Sequence, residues 1–141
     1  MARTDRAKRV DPVRADAYAE LGRRLLLAGR AILEDRDGRH ASGLVILGIH
    51  SVIAFSDALC VRFGGRKSTS SDHGHTLKLL RATLGAELPS EMAKLLERVV
   101  SEKDRFEYQG YVATIREAGT LFTKAERFGA WAERTLASKT R

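Results

Sequence analysis

The chain has 141 residues, 43% hydrophobic and 30% charged, a balance that supports one folded domain and argues against a disordered polymer. A net charge of +7 points to phosphate-bearing or acidic partners. The single cysteine, Cys60, rules out an internal disulfide and fits a reducing compartment.

Residues 1–10 read as a basic flexible tail, and residues 1–14 together hold five Arg/Lys against two Asp. No apolar run follows this charge, so no secretory leader is predicted and the expected location is cytoplasmic. Residues 11–137 form the predicted single domain, with 138–141 as a C-terminal tail. Asp11 is a plausible cap and Pro12 suits the first position of a helix, where its missing N–H costs nothing. Val13, Ala17, Leu21, Leu25, Ala28 and Ile32 then recur at helical spacing and predict the buried stripe of the first helix, which ends in "EDRDG".

The second predicted helix runs from about Arg39 to Phe63 and stops at Gly64-Gly65. Leu44, Val45, Ile46, Leu47, Ile49, Val52, Ile53 and Phe55 make it apolar on nearly every side, so it should be central. Its continuous apolar run is too short to predict a bilayer span. "RKSTSS" reads as a loop. A short helix carrying Leu77, Leu80 and Leu84 follows, closed by Gly85. A fourth helix starts near Pro89, with Met92, Leu95, Leu96 and Val99 on one face. Thr114 and Glu117 have capping-box spacing. Behind them Ala118, Leu121, Phe122, Ala125, Phe128, Ala132 and Leu136 make the last stripe. No segment alternates strictly, so the predicted class is all-α without a sheet: an antiparallel bundle of four to five helices.

Polar residues interrupt these stripes at three places. Lys103 stands where the fourth helix should continue its apolar face, with Asp104, Arg105 and Tyr108 around it. Either its stem packs on the core while the ammonium reaches water, or these four residues form a cleft for an anion. His50 and Asp57 intrude on the second helix. His50 reads as a satisfied core histidine or as a ligand-binding group. Asp57 reads as a catalytic carboxylate or as half of an ion pair, with Lys103 the candidate partner. "SSDHGHTLKLL" brings Asp72, His73 and His75 to a helix start, where Asp72 suits the helix dipole. The ligand set is too sparse for zinc, and no metal or cofactor is predicted. No HExxH, serine-nucleophile or phosphate-loop signature is present.

Taken together, "ILGIHSVIAFSDAL", "SSDHGHTLKLL" and "EKDRFEYQG" in a compact all-α chain resemble the HEPN superfamily (higher eukaryotes and prokaryotes nucleotide-binding domain) over roughly residues 12–137. The resemblance implies a homodimer with a cleft at the dimer axis and binding of a nucleotide or RNA. In members that act as metal-independent ribonucleases or toxins, an arginine, a polar residue and a histidine share the penultimate long helix. Here Lys103, Asp104 and Tyr108 occupy those positions, with Arg105 and Tyr108 as an alternative pair at shorter spacing. Lysine lacks arginine's planar fork, and tyrosine is a poor proton acceptor near neutral pH. The expectation is therefore anion binding with catalysis absent or altered. Ribonuclease activity, or pairing with a nucleotidyltransferase or antitoxin, is the alternative. Phe128 and Trp131 are the candidate dimer contacts.

Overall fold

The computed structural model describes residues 6–70, 74–107 and 109–138, with the side chain of Glu107 excepted. Five helices carry the fold: α1 (Ala15–Asp35), α2 (Ala41–Gly64), α3 (Gly74–Leu84), α4 (Ser90–Glu107) and α5 (Ile115–Ala137). The all-α bundle expected from the periodicity is what forms. Asp11 accepts a hydrogen bond from the Val13 amide at 3.0 Å and Pro12 opens a single turn of 3-10 helix ahead of α1. Thr114 and Glu117 make both bonds of the capping box that starts α5.

α2 is the central element, with Leu44, Val45, Ile49, Val52, Phe55 and Leu59 all at 1% exposure or less. The helical stretch Gly38–Gly64, a 3-10 turn continued by α2, is, contrary to the sequence reading, long and apolar enough to cross a membrane by length and composition, but most of it is buried inside the bundle. A helix apolar on every side needs neighbours on every side. Helix directions follow from side-chain meetings. The Ala113 amide donates to Ser42 Oγ, Gly48 faces Leu121 and Phe55 lies on Gly129, so α2 and α5 run the same way. Arg23 pairs with Glu133 and Arg30 with Glu126, which sets α1 against α5. Glu91–Arg127 and Arg105–Glu117 do the same for α4.

The buried face of α1 is only partly the predicted one: Ile32 packs against the core and Leu25 is half-buried, but the rest of the stripe is not buried. Val13 is 76% and Leu21 51% exposed, and Ala17 and Ala28 are exposed too. Ala15, Ala19, Gly22 and Gly29 face inward instead. A Cβ on Gly22 would lie 2.7 Å from Phe55 Cε2, and one on Gly29 would overlap Phe122 Cε1. The helix backbone comes so close to two core aromatics that only small residues fit there.

Two further expectations are corrected. The chain does contain a small sheet: β1 (Ala7–Arg9) pairs antiparallel with β2 (Arg66–Ser68), Lys8 opposite Lys67 and Arg9 opposite Arg66. Part of the supposed tail at 1–10 and of the "RKSTSS" loop is thus a two-stranded ribbon. The Val10 amide donates to Gly65 O at 2.8 Å and the Thr69 amide to Arg6 O at 2.7 Å, extending the ladder at both ends. Phe128 and Trp131 are no dimer surface, being 0% and 9% exposed within this single chain.

Candidate functional site

The described residues of the sequence-predicted set take different environments. His50 is exposed on α2, not a core histidine, while Asp57 is buried seven residues further along. Asp57 Oδ2 lies 3.8 Å from Lys67 Nζ, so its partner comes from β2 and is not Lys103. Burial pushes this carboxyl up to about 6, and the lysine offsets only part of that. Lys103 is half-buried and Asp104 exposed on α4. Tyr108, Asp72 and His73 lie outside the described residues.

Arg105 is the predicted residue that does enter a site. A groove of about 280 Å³ runs between the C-terminal half of α4 and the N-terminal half of α5. Val99, Phe106 and Leu121 supply apolar lining, while Arg98, Arg105, Arg116 and Lys124 bring positive charge and Glu102 and Glu117 negative. The turn after α4 builds one end. Gly110 adopts a left-handed φ of +66°, open to glycine at little cost, and the Tyr111 amide returns to Arg105 O at 3.3 Å. The Tyr111 ring then lies 3.9 Å beneath the Arg105 guanidinium carbon, close enough for cation–π attraction. Arg105 also reaches Glu102 at 3.3 Å and Glu117 at 3.7 Å.

Glu117 joins helix cap and groove. Its carboxylate accepts from the Thr114 amide at 3.0 Å and from the Tyr111 hydroxyl at 2.7 Å. Those bonds, the Thr114 amide first, hold its carboxyl below the usual range. The same hydrogen bond to Glu117 raises the Tyr111 phenol, so it gives up its proton even less readily near neutral pH than free tyrosine and is poorly placed as a general base. No histidine is among the described residues lining the groove.

Arg98, Arg116 and Lys124 differ from Arg105 in having no carboxylate partner among the described residues. Sequence reasoning missed all three, although the signal was there. Arg98, Glu102 and Arg105 follow one another at helical spacing on α4, as Arg116, Thr120 and Lys124 do on α5. Each set reads as an ordinary solvated face until the helices are laid side by side.

Asp35, Asp37 and His40 bring possible metal ligand atoms within 4.8 Å of one another at the α1–α2 connection. Asp37 is already engaged, accepting from the Arg39 amide at 2.9 Å and pairing with its guanidinium at 2.8 Å. An arginine held against one of three ligands disfavours a cation there.

The chain matches no family model, no curated protein and no solved structure.

Proposed function

We propose that this HEPN-like bundle binds a nucleotide through its phosphate in the α4–α5 groove and does no chemistry on it. The observation that carries the reading is a set of three cations, Arg98, Arg116 and Lys124, without carboxylate partners among the described residues, around an apolar lining. Cations with no internal partner can meet a phosphate without first breaking an ion pair. The apolar side chains suit a base or sugar, and the volume is near the lower end for small-ligand sites. Arg105, fixed by two glutamates and stacked on Tyr111, orients the end of the groove without supplying free charge.

The ribonuclease alternative has less support. Among the described residues Tyr111 is the aromatic hydroxyl beside Arg105, and its bond to Glu117 moves its titration away from neutral pH. Calorimetric titration of a nucleoside monophosphate is expected to show binding that Arg116→Gln weakens roughly tenfold, as loss of one charge-assisted contact should. Absence of binding by the wild-type chain would refute the proposal. Cleavage of labelled RNA lost on Tyr111→Phe would replace it with the enzymatic reading.

A further inference from the structure

A second basic site lies at the ribbon. A basin of about 830 Å³ opens where β1 leads into the Pro12 turn and α2 hands over to β2, and Arg9, Arg62 and Arg66 all line it. Asp11 is the only carboxylate among the described lining residues, and its side chain is already bonded to the Val13 amide. Gly65, in a left-handed conformation at φ +64°, ends α2 and turns the chain into β2. That turn places Arg62 at the helix end beside the ribbon. Arg9 and Arg66 are directly opposite in the ladder, and like charges so placed oppose pairing. Arg9 and Arg62 are exposed and have no carboxylate partner among the described residues. One ring completes the basin: Phe63 lines it half-buried, with the Arg62 guanidinium 5.0 Å from its centroid. Beneath, Lys67 is drawn inward to Asp57 and Tyr18, which fastens β2 to the bundle.

We propose that this basin is a second anion site, independent of the α4–α5 groove, which takes the backbone of single-stranded nucleic acid. Arg9 and Arg62 meet neighbouring phosphates, with Arg66 adding positive charge beside them, and Phe63 supplies the face on which an unpaired base stacks. An acidic protein segment would answer the charge but has no use for an aromatic ring between the arginines. A duplex would offer phosphates but no free base.

Fluorescence anisotropy with a labelled single-stranded oligouridylate tests this on the full chain. The double variant Arg9→Gln/Arg62→Gln should weaken binding roughly tenfold and lower the slope of log K against log salt by about 1.4, the value for two lost phosphate contacts. Phe63→Leu, which keeps an apolar side chain in place, should weaken binding severalfold and leave the salt slope unchanged. Lys94→Gln, at an exposed lysine that lines neither site, should leave oligonucleotide affinity within about twofold. That variant shows that the loss in Arg9→Gln/Arg62→Gln is local to the basin. The proposal is overturned by an unaltered affinity in Arg9→Gln/Arg62→Gln or in Phe63→Leu. Competition by polyglutamate as effective as that by unlabelled oligouridylate would overturn it equally, by showing a site that reads charge alone.

Discussion

Asp57 shows how one buried group can set a pH dependence. Its carboxyl titrates at about 6 in the folded chain because burial disfavours the charged form. In the unfolded chain it titrates near 3.8, its ordinary value. Between those two values the folded state holds the proton and the unfolded state does not. The contribution of Asp57 to stability is therefore complete below about pH 4 and falls as pH rises through about 6. At neutral pH the cost amounts to about 3 kcal/mol. Denaturant unfolding of wild type and Asp57→Asn across this window should show the difference in stability moving in the variant's favour as pH rises. A difference independent of pH would show that Lys67 fully compensates the buried charge. The pairing itself was not legible in the sequence: Lys67 sits in what reads as a loop, and only the ribbon carries it back over α2.

Helix ends were the most readable elements, because caps are local chemistry. Asp11, the Thr114–Glu117 box and Gly65 all act where their residue types say they should. The end of α1 is the exception. Its C-cap is Arg36 at φ +59°, a left-handed conformation for which "EDRDG", with Arg36 at its centre, offers glycine two positions too late. A side chain there costs energy that glycine avoids. Arg36→Gly should stabilise the fold by about 0.5–1 kcal/mol, read as a rise in melting temperature. A fall would mean that the arginine makes a contact worth more than the strain. The α1 stripe was misread for a related reason. Periodicity locates apolar residues, but a helix packed through its backbone hides small ones.

At the scale of the whole molecule, closeness of helices is what holds α1, α2 and α5 together. Gly29 faces the Phe122 ring, and Gly129 faces Leu26 and Phe55, where an added Cβ would lie 2.8 Å from Leu26 Cδ1. Alanine normally improves a helix, yet Gly29→Ala should destabilise this protein by about 1–3 kcal/mol because the aromatic ring must move. An unfolding midpoint equal to or above wild type would show that α1 has slack the structure does not suggest. The same packing leaves Ala17, Leu21 and Ala28 exposed on α1, with Val13 exposed in the turn before it.

The sequence by itself determined the helices, their caps and the centrality of α2, since these depend on residues within a few positions of one another and on hydrophobic mass. It also singled out Arg105, within "EKDRFEYQG". Tertiary structure decided which charges meet. Arg98 and Arg116 share a groove because α4 and α5 run antiparallel, and Arg9 faces Arg66 because two short segments pair across 56 residues of intervening helix-rich chain. An ion pair or a cluster of like charges is a matter of distance through space, and charged side chains on a helix surface look alike in sequence whether they face water or one another. Only the packing of glycines against aromatics, which sets how the helices lie, distinguishes the two.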